Sequence, residues 1–289
     1  MAKSAAARYA VVLIPLVAAI AVHYWMLFST VATPPADFGS GEMFDAIAKR
    51  YDLVNRVLAM HMDVGWRQVM VHRLQERVAS LSSTPQLLDI ATGTADVALL
   101  LANTIPGSTV IGVDPSNNML DVGRSKVKHE KLEGRVDLRY GGVQDLANLF
   151  PENSFDAATM AFGIRNVPDR VEALCQVHRV LRPNGVFYIM EFSEPDEDAG
   201  IMGFLARIFI RHIVPVLGGI ISGAPREYLH LQNSIKDFPT PKEFGALIER
   251  VECGEDGKGA FRLDELVHMN FGSVQLYVAT PIVREAVPS

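Results

Sequence analysis

From Leu87 onward, short apolar runs alternate with longer segments whose apolar residues recur at helical spacing. The runs, which end at turn or acidic residues, read QLLDIA, STVIGVD, RVDLRYG, FDAATMAFG and GVFYIMEF. Such runs are typical of buried strands, and strands that alternate with helices form βαβ units. We therefore predict an α/β fold with a doubly wound, mostly parallel sheet and helices on both faces. Two strand-like runs in residues 260–281 predict an antiparallel edge hairpin, and the spacing in 42–79 predicts two helices ahead of the sheet.

The N-terminal residues differ in kind from the rest of the chain. No formally charged residue lies between Arg8 and Asp37, and residues 9–32 have about the length of a membrane-spanning helix. We predict a transmembrane anchor or targeting segment with its linker over residues 1–36, followed by one α/β domain over 37–289. A signal or transit sequence that is removed after targeting is the alternative to a retained anchor.

A second apolar block covers residues 201–223. As a membrane span it would place Arg207 and Arg211 near the middle of the bilayer, where a charge is costly. We expect amphipathic helices that cover the active site, with a substrate lid or insertion over residues 201–240. The same helices can touch a membrane surface with their arginines at the level of the headgroups.

Composition excludes several classes of function. At 49% hydrophobic and 21% charged residues the chain can bury a full core, and its net charge of −6 provides no basic field, so we expect no nucleic-acid partner. Cys175 and Cys253 are far apart and form no C-x-x-C pair. We therefore expect neither a disulfide nor a zinc site, and we expect a reducing compartment. The eight histidines include no H-E-x-x-H, so no metal is expected.

The residues that follow the first two strands indicate a nucleotide site, because ligands of open α/β sheets bind at the carboxyl ends of the strands. Asp89 ends the first strand, Gly93 allows close backbone approach, and Asp114, at the end of the second strand, can accept both hydroxyls of a ribose. A dinucleotide loop needs three glycines, but this loop has Gly93 alone, between Ala91 and Ala95, and Asp96 adds negative charge. This favours a cationic cofactor, S-adenosylmethionine, over a pyrophosphate. A dehydrogenase is the weaker alternative.

The motifs LLDIATGTAD, VIGVDPSNNML, AFGIRNVP and YIMEFSEP resemble class I S-adenosylmethionine-dependent methyltransferases. Together with MFDAIAKRYDLVNRVLAMHMDVGWR near the start, they resemble more narrowly the ubiquinone/menaquinone biosynthesis C-methyltransferase family. The resemblance covers roughly Glu42 to Pro281. It implies a Rossmann-like class I methyltransferase fold, S-adenosylmethionine as cofactor, and methylation of the ring of a polyprenyl benzoquinol or naphthoquinol.

The resemblance and the strand ends together give the candidate site residues. Those expected to bind the cofactor are Asp89, Gly93, Thr94, Asp114, Gly142, Val143 and Ala161. Gln144 stands where the family places an acid, so adenine recognition must rely on backbone groups, on Gln144 or on Asp145. We take Ala95 as tolerable on the expectation that its position does not require a positive φ.

Three further residues are expected at the acceptor by the same resemblance. Arg165 and Asn166 match the RN pair that the family places against its substrate, and Tyr51 matches a tyrosine that lines the quinone pocket. Arginine is a poor base, so we hypothesise that Arg165 stabilises a phenolate or orients a water while Asn166 fixes the ring oxygen. A structural salt bridge is the alternative for Arg165, and core packing is the alternative for Tyr51.

A polyprenyl quinol lives in a bilayer, so we expect a membrane surface or bilayer as partner. The expected location is the mitochondrial inner membrane facing the matrix, with a plastid or other organelle membrane as the alternative. Contacts with other quinone-biosynthesis enzymes and a homodimer stay open. Two other functions also stay open: a methyltransferase for another small lipophilic acceptor, and a weakly active scaffold subunit of a quinone-biosynthesis complex.

Overall fold

The structure is a computed structural model that describes residues 41–195, 199–222, 225–254 and 259–282. Seven strands form one sheet in the order β3-β2-β1-β4-β5-β7-β6. Their bounds are β1 Gln86–Ile90, β2 Thr109–Asp114, β3 Val136–Tyr140, β4 Phe155–Ala161, β5 Leu181–Phe192, β6 Phe261–Met269 and β7 Val274–Pro281. Strands β1 to β5 pair in parallel, whereas β7 is antiparallel to both β5 and β6. The predicted doubly wound sheet with an antiparallel edge hairpin is confirmed.

Ten α-helices surround the sheet among the described residues. They are α1 Glu42–Leu58, α2 Met62–Val78, α3 Asp96–Thr104, α4 Asn117–His129, α5 Leu146–Leu149, α6 Arg170–Val180, α7 Gly200–Ile208, α8 Val214–Ser222, α9 Pro225–Lys236 and α10 Pro241–Arg250. Several starts follow from local chemistry: the Ser116 hydroxyl accepts a hydrogen bond from the Met119 N–H at 3.2 Å, and Thr240 caps α10 ahead of Pro241. The anchor predicted for residues 1–36 lies outside the described residues.

Two hydrophobic cores lie on the two faces of the sheet because successive strand residues point in opposite directions. Leu87 of β1 belongs to the first core, with Leu74 of α2, and Leu88 belongs to the second, with Leu174 of α6 and Phe244 of α10. All five side chains are at most 1% exposed. Each contributes roughly 1.5–3 kcal/mol of hydrophobic stabilisation. This two-sided burial fixes the carboxyl ends of β1, β2 and β4 at one edge.

The expectation of no disulfide is wrong. Cys175 on α6 and Cys253, just after α10, are joined, with their Cα atoms 5.1 Å apart. Separation along the chain does not measure separation in space: α6 and α10 pack on the same face of the sheet and bring the two thiols together. The argument from the cysteines for a reducing compartment therefore loses its basis.

Helices α7 and α8 form one nearly continuous rod, joined by a π-helical turn, Phe209–Ile213. Among the described residues, Gly200–Gly219 is the one helical stretch long and apolar enough to cross a membrane, by length and composition alone. Much of its apolar surface is exposed: Ile201 is 75% exposed and Phe204 is 56% exposed. Another set of its side chains lines a cavity at the carboxyl edge of the sheet: Met202, Leu205, Ala206, Phe209, Ile210 and Val214.

Candidate active site

A smaller cavity lies at the carboxyl ends of β1, β2 and β4, where the strand order reverses and the connecting loops diverge. Five of the seven predicted cofactor residues line it: Gly93, Asp114, Gly142, Val143 and Ala161. They come from four separate loops, and the parallel sheet brings them to one place. The predicted residues Asp89 and Thr94 do not line this cavity.

Asp114 is the main charged group of the smaller cavity. Its two carboxylate oxygens accept hydrogen bonds from the Gly93 N–H at 2.8 Å and the Ser116 N–H at 2.9 Å. Burial raises the pKa of Asp114 to about 6, although these N–H groups stabilise its charged form. Each oxygen keeps a lone pair, so the carboxylate can accept a pair of neighbouring hydroxyls.

The loop after β1 takes the left-handed backbone conformation three times: φ is 54° at Ala91, 55° at Gly93 and 67° at Ala95. The expectation that position 95 does not require a positive φ is therefore wrong. A residue with a Cβ in this conformation costs roughly 1–2 kcal/mol. The surroundings hold it there, since Ala95 is fully buried and its N–H donates to the Thr92 carbonyl at 2.9 Å.

The space beside Gly93 is open, because a Cβ built there would meet no atom within 4 Å. The residues that follow β3 form another part of the lining of the smaller cavity, and the sequence proposed Gln144 or Asp145 there for adenine. The Asp145 carboxylate accepts the Gly142 N–H at 2.8 Å and so caps its own turn, whereas Gln144 lines the cavity. Of the two candidates, Gln144 is the polar side chain placed in this part of the lining, with Val143 offering an apolar surface beside it.

Asp89 and Thr94 connect the first strand and its loop to neighbouring elements through hydrogen bonds. The Asp89 carboxylate is buried and accepts hydrogen bonds from the hydroxyls of Thr92 at 2.6 Å and Thr159 at 2.7 Å, which ties β1 to its own loop and to β4. Burial raises the pKa of Asp89 to about 6. The Thr94 hydroxyl donates to Asp52 of α1 at 2.6 Å.

Asp96 belongs to an ionic cluster between helices and not to the cavity. Its carboxylate pairs with Arg56 of α1 at 2.6 Å and with Lys126 of α4 at 2.7 Å. Arg56 and Lys126 therefore compensate the negative charge of Asp96, the charge that had favoured a cationic cofactor over a pyrophosphate. The cluster holds α1 across the loop that follows β1.

A larger cavity of about 440 Å³ lies beside the smaller one. Its walls are mostly apolar and come from α1, α2, α7, α8 and α9 as well as the sheet edge, with Trp66 and Phe192 among them. All three predicted acceptor residues, Tyr51, Arg165 and Asn166, line it. The two cavities share Phe44, Tyr51, Phe162 and Asn166, so they meet at these residues.

Arg165 forms a buried ion pair with Glu191 at the end of β5, with its Nη1 2.5 Å from the carboxylate. The same Nη1 donates to the Phe162 carbonyl at 2.7 Å, and the Arg165 N–H donates to Glu191 at 3.2 Å. Arg165 is 4% exposed and Glu191 is fully buried. The Arg165 Nε is also buried, and no described residue accepts its hydrogen bond. The salt bridge that was the alternative role for Arg165 is therefore present, and it leaves the Nε–H group of the guanidinium without a described acceptor.

Sequence reasoning missed one group that lines this cavity, His230, and one that lies behind its wall, Glu191. Glu191 lies within the EFSEP motif, but nothing in the motif says that its carboxylate faces Arg165. His230 of α9 is 9% exposed and lines the larger cavity. A histidine in an amphipathic helix gives no signal of its own, and only the packing of α9 reveals it.

The profile of the ubiE/COQ5 methyltransferase family matches residues 36–256. The chain belongs to this family. A demethylmenaquinone methyltransferase of Thermus thermophilus is 38% identical over 206 residues, which cover 71% of this chain and 89% of the relative. A ubiquinone/menaquinone biosynthesis C-methyltransferase of Citrifermentans bemidjiense is 37% identical over 210 residues, which cover 72% and 85%. A solved structure of a possible exported protein from Bordetella parapertussis shares the fold alone, at TM-score 0.55 and 14% identity over 76% of this chain and 68% of that one.

As a member of this family the chain is a methyltransferase, and its methyl donor is S-adenosylmethionine. The smaller cavity fits this molecule. Asp114 offers two oxygens that could accept the ribose hydroxyls, the open side of Gly93 admits close approach to the backbone, and Gln144 adds a polar side chain to the lining. The expected class of enzyme and its cofactor are confirmed.

Proposed function

We propose that this enzyme methylates a ring carbon of a polyprenyl benzoquinol or naphthoquinol. One observation carries the proposal: a cavity suited to S-adenosylmethionine meets a larger apolar cavity at Tyr51, Phe162 and Asn166. The names of the relatives from Thermus thermophilus and Citrifermentans bemidjiense support quinols as the acceptor class. The larger cavity suits a ring that carries a long apolar tail.

The polar side chains of the larger cavity indicate how the ring is oriented. Bound S-adenosylmethionine supplies an electrophilic methyl group on a sulfonium. In the proposal Asn166 and Tyr51, which line both cavities, hold a ring oxygen so that the carbon to be methylated faces the smaller cavity. The enclosing aromatic side chains of Phe44 and Phe162 exclude water from the junction.

Arg165 serves as a fixed hydrogen-bond donor in this proposal. A guanidinium does not give up its proton at neutral pH, and its charge is compensated by Glu191, so Arg165 is not the base. Its guanidinium lines the larger cavity and can donate to the ring oxygen as negative charge develops there. The pair with Glu191 holds the guanidinium in place before the substrate arrives.

The outer face of α7 supports direct loading of the substrate from a membrane. Ile201, Phe204 and Leu205 are 75%, 56% and 51% exposed. Leu205 and Met202 also line the larger cavity, so the apolar surface continues into its wall. A polyprenyl tail could then pass from the bilayer into the cavity without crossing water.

The location follows from the same reasoning. We place the enzyme at the mitochondrial inner membrane facing the matrix, with a plastid or other organelle membrane as the alternative, since polyprenyl quinols are confined to membranes. An anchor in residues 1–36 would add to the α7 surface. A homodimer or contacts with other quinone-biosynthesis enzymes would leave this substrate route intact, and protease protection of full-length protein in isolated organelles tests the location.

The acceptor class is tested with purified full-length protein, labelled S-adenosylmethionine and two sets of acceptors. Demethylated benzoquinols and naphthoquinols should accept label on carbon, whereas sterols and simple amines should not. Label on a sterol or an amine, with none on either quinol, would overturn the proposal. Calorimetry with S-adenosylmethionine decides against the scaffold alternative if the cofactor binds.

Membrane loading has its own test. Flotation with anionic vesicles should fall several-fold for the double variant I201S/F204S, and turnover of a long-chain quinol should fall with it, while turnover of a quinol with a short, water-soluble tail stays unchanged. The matched control V171S removes an exposed apolar side chain from α6, away from the lid, and should change neither. Equal flotation of wild type and I201S/F204S would contradict this role of α7.

A further inference from the structure

We propose that His230 accepts the proton of the quinol hydroxyl that activates the ring for methylation. The inference rests on the proposed function, because it concerns a phenolic acceptor in the larger cavity. His230 lies on α9, is 9% exposed, and lines this cavity together with Tyr51, Arg165 and Asn166. Helix α9 packs against the short 3₁₀ turn that carries Arg165 and Asn166.

The chemistry needs a proton acceptor because a ring carbon becomes strongly nucleophilic when a hydroxyl ortho or para to it is deprotonated. In the proposed sequence the hydroxyl proton moves to the imidazole of His230. The ring carbon then forms its bond to the methyl group while the methyl–sulfur bond breaks, and that electron pair stays on sulfur. Finally the methylated carbon loses its proton as the ring becomes aromatic again, the imidazolium returns its proton to the ring oxygen, and one proton is released to solvent per methyl group.

Other described side chains of the larger cavity are poor acceptors. Those that titrate or carry charge are Tyr51, Asp63, Arg67 and Arg165. The two guanidinium groups are already protonated at neutral pH and cannot accept a further proton. The Asp63 carboxylate is already engaged in ion pairs with Arg56 and Arg67. Burial raises the pKa of Tyr51, so its phenol keeps its proton at neutral pH.

His230 has the properties that this step requires. Burial lowers the pKa of its imidazole, and the positive charge of Arg165 lowers it further, so the neutral form predominates at pH 7. Helix α8, which packs against α9, contributes no titratable side chain, since its sequence is VPVLGGIIS. The neighbouring Arg165, held by Glu191, then stabilises the ring oxygen from which His230 removes the proton.

The test compares wild type with H230Q, which keeps a polar side chain but cannot take up a proton. At pH 7 the kcat of H230Q should fall about 100-fold, the lower end of the usual contribution of a general base. The KM for S-adenosylmethionine should be unchanged. Wild-type kcat should fall at acidic pH as the imidazole is protonated, and this dependence should be absent in H230Q. The control H129Q, on the exposed end of α4, should match the wild type.

A second readout needs no catalysis. Wild type with 4-nitrophenol and no methyl donor should bind it as the coloured phenolate below the pH at which it ionises in water, and H230Q should bind it as the neutral phenol. No phenolate signal in the wild type, the same signal in H230Q, or an unchanged acidic limb of kcat in H230Q would overturn the inference. If the wild type methylates no quinol, the proposed function fails, and the nitrophenol spectra still decide about His230.

Discussion

The two cavities of this enzyme are built in different ways. The smaller cavity consists of loops that follow consecutive strands, and its key contacts are short side chains and backbone N–H groups, such as those between Asp114 and Gly93. The larger cavity consists mainly of helices from both ends of the described chain, and the buried ion pair of Arg165 and Glu191 holds a charged group in its wall. The geometry of the smaller cavity is thus set by the sheet, whereas the geometry of the larger cavity depends on how the helices pack over it.

Loss of the ion pair of Arg165 and Glu191 should have the largest effect on stability and turnover among the changes at the larger cavity. The variant R165M should lose about 3–5 kcal/mol of unfolding free energy, because it leaves the fully buried Glu191 carboxylate without its cation. Its kcat should fall far more than its affinity for S-adenosylmethionine. Denaturant unfolding, kinetics and calorimetry measure the three quantities.

A double variant separates the structural role of Arg165 from its proposed role at the substrate. R165M/E191M should recover most of the lost stability, since no buried charge remains, but should not recover kcat. Recovery of both would show that Arg165 acts only through the fold. An equal loss of turnover and cofactor affinity in R165M would have the same meaning.

Removal of the disulfide tests whether substrate binding in either cavity depends on a covalent link that lies outside both cavities. Loss of the Cys175–Cys253 bond, which closes a loop 78 residues long, should cost about 4.5 kcal/mol by the chain-entropy account. The variant C175S should therefore unfold at lower denaturant, yet both Michaelis constants should stay at wild-type values, because neither cysteine lines a cavity. Reduction of the wild type should reproduce the effect, and reduction of C175S should change nothing further. A raised KM for either substrate would show that the cavities are coupled to this bond.

In the smaller cavity, substitution of Asp114 should have the largest effect on cofactor binding. The variant D114N should bind S-adenosylmethionine about 10- to 100-fold more weakly, the equivalent of the 1.5–3 kcal/mol of hydrogen bonds to a charged group, with little change at the acceptor. The pKa of Asp114 is about 6, so its carboxylate is charged above this pH and neutral below it. Cofactor affinity of the wild type should therefore fall as the pH drops through 6, and that of D114N should not.

The stability of the cofactor-free enzyme should respond to the same titration with the opposite sign. The folded protein binds the Asp114 proton more tightly than the unfolded chain, where the pKa is near 3.8. The contribution of Asp114 to the unfolding free energy therefore increases as the pH falls from above 6 toward 3.8, by up to about 3 kcal/mol. The difference between wild type and D114N in urea titrations at several pH values isolates it. A difference that shrinks as the pH falls would contradict the raised pKa.

The contrast between the cavities also explains what the sequence could predict. Strand ends are visible as a change of periodicity, and parallel strands bring their carboxyl ends together, so Gly93 and Asp114 were placed from local patterns, whereas Gly142 and Val143 were placed by the family resemblance. No comparable rule predicts which side chains of the helices that pack over the site will line it. The partner of Arg165 and the position of His230 depend on contacts between residues far apart in the chain, and a residue count alone gave the wrong answer for the cysteines.

Ala95 gives the smallest and most local test. Its φ of 67° favours glycine, so A95G should gain up to about 1 kcal/mol of stability, less whatever is lost with its buried Cβ. The control A98G makes the same chemical change in the middle of α3, where glycine should cost about 1 kcal/mol. Opposite signs for the two variants in thermal unfolding would locate the strain at the start of α3. Because Ala95 does not line the smaller cavity, A95G should leave the affinity for S-adenosylmethionine within a factor of about 2 of the wild type; a larger gain would mean that this strain is transmitted through Gly93 to the cofactor.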